Sequence, residues 1–517
     1  MYRLLVNIKK YMAVDSAGGK WVSNMGGKKN RENDIVISLN GNQSQEVVGS
    51  NMSISYLTSE GRKCVLVELG MIQNNDMADE YILNKEMLNN IPIKESDYCF
   101  MLHLHCDHIG LFPALSSMGF KGRIITTKTN AILSKPMLKD CIKIHVKNCA
   151  YLRENKDKFK KKIKGKVKEL FEEKDLDNVM SMMEVYELDN IHHLDDYLSF
   201  RFTNNSHIIG ATQLEIFIKK FGTNIVKKIC ITSDLGNTDN YSYTYFTEPT
   251  TPVSNSNVLF IESTYGLGDR NFNKRICIEE RKQLEKDILG FVNYDHSCMI
   301  PCFALSRLSN MMCWLYDIFK DIWDMSKPIV IATNLGKKIN DKMYEVLDNE
   351  ELAYWDEVMT WKAFKFINDN KSCEAFVNSK PKSYLVLSSS GMISGGFSNL
   401  FVNQMLQDSH NGILFCGYCS PNTIGGQLLD DSTDTVVVDG KTLKKRCIVK
   451  RYYSFSSHAS QKDIINYIKQ CSCQKVILQH GSTEAKEELK KLSEMELSKI
   501  DRTTKVISSY KDMQITL

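Results

Sequence analysis

Residues 103–108 read HLHCDH and bring four potential metal ligands, His103, His105, Asp107 and His108, within six positions. They follow the apolar stretch YCFM, which is typical of a buried strand. His103 and His105 are two residues apart, so on extended chain they point to the same side and could bind one cation together. If the chain then turns, Asp107 and His108 leave in another direction and could hold a second cation. Imidazole and carboxylate ligands favour zinc, with manganese or iron as alternatives.

Further candidate ligands end or interrupt other apolar stretches. They are His207 in NSHIIGAT, Asp234 in CITSDLG and His480 in VILQHGS. A pair of cations needs roughly six or seven ligands, and an aspartate can bridge the two. Each of these residues alone fits a core or capping role as well as metal binding. Together with HLHCDH they predict a metal site that is assembled from several strand ends.

The composition is that of an ordinary folded protein. The 517 residues are 43% hydrophobic and 25% charged, which predicts more than one globular domain. A net charge of +4 excludes a globally basic nucleic-acid binder, so any site for a polyanion must be local. The 16 scattered cysteines favour reduced thiols, and MYRLLVNIKKYMAVDS lacks the pattern of a signal peptide or a membrane span. We therefore expect a cytoplasmic protein without membrane contacts.

Short apolar stretches that end in polar residues alternate with helical patterns, which predicts an α/β fold with its chemistry at strand ends. VVGSNMSISYLT (47–58) alternates apolar and polar residues, as antiparallel half-buried strands do. Between about 266 and 437, longer helical stretches alternate with short strands and predict a second α/β unit. Residues 151–170 are heavily basic. They fit a solvated surface segment, which charge runs usually are, or an element that contacts a polyanion.

The stretch LSSSGMISGG could bind a phosphate, because hydroxyls and glycine amides can approach an anion closely. A glycine-rich turn between a strand and a helix explains the same pattern equally well. The candidate residues are Ser388, Ser389, Ser390 and Gly391, with Gly395 and Gly396 beyond them. Arg307 in PCFALSR could likewise contact a phosphate or form a structural ion pair.

HLHCDH resembles the HxHxDH signature of the metallo-β-lactamase fold. ESTYG, PCFALSR, LSSSGMISGG, GYCSPNTIGGQLL, SFSSHAS and LQHGS are similar, in the same order, to the signatures of its β-CASP nuclease branch. The match runs from about Val47 to about Glu487 and is best with the RNA-processing members, which are akin to the cleavage and polyadenylation endonuclease. The resemblance implies a metallo-β-lactamase αββα sandwich formed by residues 1–265 and 438–517, with a β-CASP α/β cap inserted at 266–437.

The resemblance also implies a role for each site residue. His103, His105 and His207 would hold one metal ion, Asp107, His108 and His480 a second, and Asp234 would bridge the two. A hydroxide activated by both metals would attack the phosphodiester, with Asp107 as part of the catalytic set. His458 in SFSSHAS would protonate the departing oxygen as general acid, and Glu262 in ESTYG would orient it and keep it protonated.

Two positions depart from the family pattern. Glu68 in VLVELG stands where the family has an aspartate that orients the metal-binding histidines. The longer side chain changes the reach of its carboxylate, so we expect weaker metal binding unless the backbone compensates. In IATNLGKK, Ala332 and Asn334 occupy a segment where relatives carry an aspartate, so that local role is lost or moved.

The resemblance thus implies a hydrolase: a metal-dependent ribonuclease that cleaves phosphodiester bonds of single-stranded RNA with two divalent ions, zinc or else manganese. A histidine at the position of His480 is typical of RNA-cleaving members, which favours RNA as the substrate. A DNA nuclease of the same family is the alternative. An inactive scaffold stays open because of Glu68. A small-molecule metallohydrolase also stays open, although it would not need His458. The sequence indicates neither protein partners nor an oligomeric state.

Overall fold

The computed structural model describes residues 34–44, 46, 48–74, 76–237, 244–268, 274–421 and 423–517. The N-terminal stretch, for which we predicted no signal peptide, lies outside these residues. No helix within the described ranges is long and apolar enough to cross a membrane.

The first sheet has seven strands. They are β1 (Val36–Leu39), β2 (Met52–Thr58), β3 (Gly61–Val67), β4 (Tyr98–Phe100), β5 (Arg123–Thr126), β6 (Met183–Val185) and β22 (Gln514–Thr516). They lie in the order β22-β1-β2-β3-β4-β5-β6. β1, β2 and β3 are antiparallel, which confirms the interpretation of residues 47–58, and β3 to β6 are parallel.

The second sheet also has seven strands. They are β7 (His192–His193), β8 (Leu198–Asn204), β9 (Thr212–Lys219), β10 (Val226–Ile231), β11 (Ser256–Glu262), β20 (Cys473–Gln479) and β21 (Lys505–Ser508). Their order is β21-β20-β11-β10-β9-β8-β7. β10, β11 and β20 are parallel neighbours, although the whole third sheet separates β11 from β20 in sequence. The chain therefore leaves this sheet at Glu262 and returns beside it, with Glu262 opposite Gln479.

The third sheet is entirely parallel. Its strands are β12 (Cys298–Pro301), β13 (Ile329–Ala332), β14 (Phe364–Ile367), β15 (Leu385–Ser388), β16 (Gly412–Phe415) and β19 (Ile448–Arg451), in the order β14-β13-β15-β12-β16-β19. A hairpin of β17 (Thr435–Val438) and β18 (Lys441–Lys444) lies between β16 and β19 in sequence. This sheet is the predicted second α/β unit. β19 joins it from beyond residue 437, and the boundaries at 265 and 437 stay predictions.

The helices connect the parallel strands. They are α1 (Met77–Asn90), α2 (Cys106–Ile109), α3 (Pro113–Ser117), α4 (Lys128–Glu154), α5 (Lys156–Phe159), α6 (Glu173–Ser181), α7 (Lys274–Asn293), α8 (Arg307–Phe319), α9 (Asn334–Met343), α10 (Asn349–Thr360), α11 (Asn370–Asn378), α12 (Phe397–Met405), α13 (Ile424–Leu429), α14 (Gln461–Gln470) and α15 (Thr483–Ser498). A 3-10 turn covers Asn42–Ser44. Asp76 and Ser460 cap α1 and α14 by accepting backbone N–H bonds, which satisfies groups that a helix start leaves unpaired.

The first two sheets pack face to face. Phe100 of β4 meets Phe200 of β8 edge to face, with ring centroids 5.1 Å apart, inside one apolar layer drawn from both sheets. α14 and α15 cover the outer face of the second sheet through residues such as Tyr467 and Leu489, while α1 and α4 belong to the layer outside the first. The αββα sandwich and its inserted α/β unit, predicted from the sequence, are confirmed.

Candidate metal centre

The predicted metal ligands lie where strands end. His103 follows β4, His207 follows β8, Asp234 follows β10 and His480 comes directly after β20. Because the carboxyl ends of parallel strands meet at one edge of a sheet, side chains that are distant in sequence come together there. The backbone turns sharply at His480, which has a φ of +51° that residues with a Cβ rarely adopt.

Four side chains form the first ligand group: His103, His105, His207 and Asp234, whose donor atoms all lie within 4.8 Å of one another. His207 Nε2 is 3.2 Å from His105 Nδ1. Asp234 Oδ2 is 3.6 Å from His103 Nε2 and 3.6 Å from His207 Nε2. Three imidazoles and one carboxylate oxygen thus surround one point, as a zinc-type site requires.

The second ligand group shares Asp234 with the first and adds Asp107, His108 and His480. Asp234 turns its other oxygen, Oδ1, towards this group, 3.3 Å from His108 Nε2 and 3.1 Å from His480 Nδ1. Asp107 Oδ2 lies 3.5 Å from His108 Nε2 and 3.3 Å from His480 Nε2. One oxygen of Asp234 therefore faces each group, which is the arrangement of a bridging ligand.

Several of these atoms are buried without a hydrogen bond. Within the described ranges, His103 Nε2, His108 Nε2 and Asp234 Oδ1 accept or donate none, although all three are inaccessible to solvent. An unsatisfied buried polar atom is costly, and buried polar atoms usually have a partner. A divalent cation in each ligand group would supply the missing partners, so the donor set fits metal binding.

The charge state of the ligands also suits cations. Burial lowers the pKa of His105 to about 3, and the charge of His103 acts in the same direction, so His105 is neutral with a free lone pair. Burial raises the pKa of Asp107, but the charge of the nearby His108 and the hydrogen bond with His480 outweigh burial and hold that pKa well below its usual range. Asp107 is therefore a carboxylate. Burial lowers the pKa of His108, but the charge of Glu68 and the neighbouring aspartates outweigh burial and raise that pKa well above its usual value, so metal binding at His108 would release a proton.

Glu68 supports the ligands from behind. Its Oε2 lies 2.8 Å from His108 Nδ1, and its Oε1 accepts a short hydrogen bond from Ser233, whose Oγ lies 3.0 Å from His103 Nδ1. Both Nδ1 atoms are thereby occupied, which leaves the Nε2 atoms of His103 and His108 to face Asp234. Glu68 itself has a φ of +61°. The backbone thus brings the longer side chain within reach of both histidines; weaker metal binding stays a prediction.

Two glycines allow the ligand loops to pack closely. The backbone around Gly70 hydrogen-bonds the HLHCDH loop, with Leu69 N 2.9 Å from His108 O. A Cβ at Gly70 would lie 1.6 Å from the carbonyl oxygen of Asp107, and a Cβ at Gly236 would lie 2.2 Å from His207 N. Neither position can hold a larger residue unless the backbone of a ligand moves.

His458 lies beside the ligand groups and pairs with Glu262. Its Nδ1 is 3.0 Å from Glu262 Oε1 and 3.1 Å from Oε2, and its ring centroid is 4.5 Å from that of His207. Glu262 is fully buried and accepts a 2.6 Å hydrogen bond from Leu235 N. Burial lowers the pKa of His458, but the Glu262 charge and hydrogen bond outweigh burial and raise that pKa above its usual value. A protonated imidazole next to the metal ligands can give up a proton.

The predicted phosphate ligands lie at the carboxyl edge of the third sheet. Ser388 ends β15 and is fully buried, Ser389 Oγ donates to Thr333 Oγ1 at 2.9 Å, and Ser390 Oγ accepts from Ser394 N at 2.8 Å. Gly391 is buried, with an ideal Cβ only 2.9 Å from Phe303 N. Arg307 begins α8 with 9% of its surface exposed. Several of these groups already serve the turn, and their binding of phosphate stays a prediction.

Sequence reasoning missed two supporting residues. Ser233 links Glu68 to His103, and Thr264 Oγ1 lies 3.2 Å from His480 Nδ1. Both stand next to predicted site residues, in TSDLG and ESTYG. Adjacency was the only signal, because serine and threonine are common at strand ends for other reasons.

Two family models match the chain. One is described as the Beta-Casp domain and covers residues 309–428. The other is described as the Zn-dependent metallo-hydrolase RNA specificity domain and covers residues 442–503, which include His458 and His480. The first match falls on the third sheet and its helices, and the second on the segment that returns to the sandwich.

Similar proteins share about a quarter of their residues with this chain. Cleavage and polyadenylation specificity factor 73 of Drosophila melanogaster is 26% identical over 77% of this chain and 54% of its own length. Integrator complex subunit 11 of Danio rerio is 26% identical over 85% of this chain and 70% of its own length. Endoribonuclease ysh1 of Schizosaccharomyces pombe is 24% identical over 74% of this chain and 47% of its own length. The chain thus spans about half the length of two of these three relatives. In its two matched domains, its sandwich with an inserted parallel sheet and its HLHCDH ligand groups, the chain is similar to the β-CASP proteins of the metallo-β-lactamase fold.

Proposed function

We propose that this chain is a metal-dependent nuclease that hydrolyses phosphodiester bonds of RNA. The observation that carries the proposal is the pairing of His458 with Glu262 at 3.0 Å, immediately beside two groups of metal ligands that share Asp234. The ligands alone would serve many metallohydrolases. A buried carboxylate that keeps a histidine protonated adds what cleavage of a phosphodiester needs, which is an acid for the departing oxygen.

The proposed cofactors are two divalent ions. His103, His105 and His207 would hold one, Asp107, His108 and His480 the other, and Asp234 both. When bound, such ions act as Lewis acids that lower the pKa of water to about 7 and neutralise charge that develops on phosphate oxygens. Zinc suits the five imidazoles and two carboxylates better than magnesium does, and manganese is the alternative.

The chain's own residues would divide the remaining work. Glu68 orients His103 and His108, so that the cations are held in one geometry. Water attacks the phosphorus and loses one proton to the solvent, the bond from phosphorus to the departing ribose oxygen breaks, and His458 donates the proton that this oxygen takes up. Glu262 holds the His458 ring by Nδ1, which leaves Nε2 as the atom that gives the proton.

RNA is the proposed substrate for two reasons. The residues 442–503 match a family model described as an RNA specificity domain, and ysh1 is described as an endoribonuclease. His480, the histidine that is typical of RNA-cleaving members, also lies within reach of Asp107 and Asp234, so it would serve as a metal ligand. A DNA nuclease of the same family differs in substrate alone, and matched RNA and DNA oligonucleotides distinguish the two.

Two other functions would leave different traces. An inactive scaffold would bind no metal. The convergent donor atoms of this chain argue against that function. A small-molecule metallohydrolase would bind metal but would not depend on His458. We further propose a cytoplasmic site of action, which the 16 free cysteines support.

The test is an assay with single-stranded RNA and a matched DNA, with added zinc or manganese, comparing the wild type with His458→Ala. We expect cleavage of RNA by the wild type and a loss of about 10² to 10⁴-fold in the variant, since this is the usual contribution of a general acid. Equal rates for the two proteins would contradict the role of His458. Faster cleavage of the DNA than of the RNA would mean that DNA, and not RNA, is the substrate.

A further inference from the structure

A lysine-rich segment concentrates positive charge outside the metal centre. Residues 156–168, KDKFKKKIKGKVK, which we name the lysine arm, contain eight lysines and one aspartate. The whole chain has 66 Lys and Arg against 62 Asp and Glu, a net charge of +4. The lysine arm therefore carries more net positive charge than the whole chain, and the rest of the chain is net negative. Such an asymmetry attracts polyanions to one place.

The lysine arm is fixed to the fold rather than left loose. α5 forms its start, and its Phe159 and Val167 are buried in an apolar cluster with Tyr81 of α1 and Leu152 of α4. Tyr81 Oη accepts a 3.2 Å hydrogen bond from Lys168 N and donates a 3.0 Å bond to Lys168 O. The charges are thus held in place, which reduces the entropy lost on binding.

The arm's charges are turned to solvent and are mostly unneutralised. Lys162 forms ion pairs with Asp76 at 3.0 Å and Asp79 at 2.7 Å, which tie the middle of the arm to the start of α1. The other seven lysines are exposed and form no ion pair with any described residue. Neighbouring like charges repel one another, so an anionic partner would relieve that repulsion as well as bind.

We propose that the lysine arm binds the phosphate backbone of RNA at a position separate from the metal centre, and so holds the substrate of the proposed nuclease. The proposal rests on the proposed function for its choice of nucleic acid. Lysine is a point charge that contacts phosphates without reading bases, so this binding is independent of sequence. It is also electrostatic, so it weakens steeply as salt is added.

The exposed chemistry of the arm favours a nucleic acid over a membrane. Segments that lie on lipid bilayers insert bulky apolar side chains between the head groups. In the lysine arm Phe159 and Val167 are only 9% and 7% exposed, and the third bulky apolar residue, Ile163, is partly buried against the same cluster. The outward face is dominated by lysine side chains, with no fully exposed bulky apolar side chain in the arm, which matches a chain of phosphates.

The test compares two sets of four substitutions in the zinc-loaded full chain with His458→Ala, so that RNA is bound but not consumed. The arm variant is Lys160→Gln, Lys161→Gln, Lys164→Gln and Lys166→Gln. The control changes four exposed lysines elsewhere, Lys371, Lys382, Lys444 and Lys511, to Gln. Fluorescence anisotropy with a long single-stranded RNA gives Kd across a salt series. We expect the arm variant to bind about 10-fold or more weakly, and its salt slope to fall by about 0.7 for each phosphate that the arm no longer neutralises.

Each other outcome overturns the proposal. Unchanged affinity in the arm variant, or an equal loss in both variants, would mean that the arm is not a binding site. If the arm variant kept RNA binding but lost binding to phosphatidylserine vesicles, the arm would be a membrane contact instead.

Cleavage by proteins that keep His458 separates this proposal from the proposed function. We expect the arm substitutions to slow cleavage of the long RNA while a very short RNA is cleaved at the rate of the wild type. If the wild type cleaved no RNA but arm-dependent binding remained, the proposed function would fail and the arm would stand. If the wild type cleaved RNA and the arm variant bound and cleaved the long RNA equally well, the arm alone would fail.

Discussion

Glu68 Oε2 lies 2.8 Å from Nδ1 of His108, and the other oxygen of the same carboxylate reaches His103 through Ser233. One acidic residue therefore orients a ligand of each metal group. Burial raises the pKa of Glu68, but the charge of His108 and the histidine hydrogen bonds lower it to about 2, so it is a carboxylate at any physiological pH. At the position that departs from the family pattern, the glutamate thus contacts His108 directly and His103 through Ser233.

Replacing Glu68 tests that role. We expect Glu68→Gln to weaken zinc binding by about 10 to 100-fold, because the neutral amide neither attracts the Nδ1–H groups as strongly nor raises the basicity of the ligands. Glu68→Asp keeps the charge but shortens the side chain, so it reports on reach alone. Competition with a chromophoric chelator measures the affinity. Zinc affinity that is the same in Glu68→Gln and the wild type would show that the contact orients nothing.

The pairing of Glu262 with His458 predicts a shift in pH dependence. Glu262 raises the pKa of His458, so the acid is protonated below that pKa and is lost as the pH rises through it. Glu262→Gln removes the charge, and the alkaline fall in kcat should move to lower pH while the same metals stay bound. A pH–rate profile of both proteins checks this. A fall at unchanged pH in the variant would assign that limb to another group.

Gly70 predicts a steric effect on the ligand loop. A methyl group there would overlap the carbonyl of Asp107, so Gly70→Ala should destabilise the protein by about 3 kcal/mol or more and lower its zinc content. Gly290→Ala is the matched control, since Gly290 lies in the last turn of α7 and a Cβ there would meet nothing within 4 Å. That change should stabilise the helix by about 0.5–1 kcal/mol. Chemical denaturation and metal analysis measure both, and a Gly70→Ala protein as stable and zinc-rich as the control would contradict the packing.

The residue pattern predicts the metal ligands better than it predicts the residues that orient those ligands. His103, His105, Asp107 and His108 were predictable because four ligand types in six residues are hard to explain otherwise, and His458 because a family signature contains it. Ser233 was not, because its role exists only once the turn at φ +54° brings its hydroxyl between Glu68 and His103. Local sequence does not encode such a three-way contact.

The fold likewise has features that the sequence predicts and features that it does not. Alternating strands and helices predicted both α/β units, since hydrophobic periodicity is local. The pairing of β11 with β20, and the entry of β19 into the third sheet, depend on contacts between distant segments. Periodicity does not report which distant strands become neighbours.

Removing the metals should lower stability. Without cations, buried polar atoms such as His103 Nε2 and Asp234 Oδ1 form no hydrogen bond within the described residues. Ligands that bind only the folded state stabilise it by mass action, about 4 kcal/mol at a thousandfold excess over Kd. Differential scanning calorimetry with zinc and with a chelator should give a clearly higher Tm in zinc. His207→Ala, which loses a ligand, should show a smaller difference, and an equal Tm with and without zinc in the wild type would mean that the centre binds no ion.

The proposed nuclease activity depends on the two ligand groups that share Asp234. End-labelled single-stranded RNA, incubated with zinc or manganese and the wild type beside Asp107→Ala, tests it most directly. We predict cleavage by the wild type and none detectable in Asp107→Ala, because that variant loses a carboxylate that holds one of the two metals. Fragment lengths will separate internal from terminal cutting. Cleavage that persists in Asp107→Ala, or intact RNA with the metal-loaded wild type, would contradict the account.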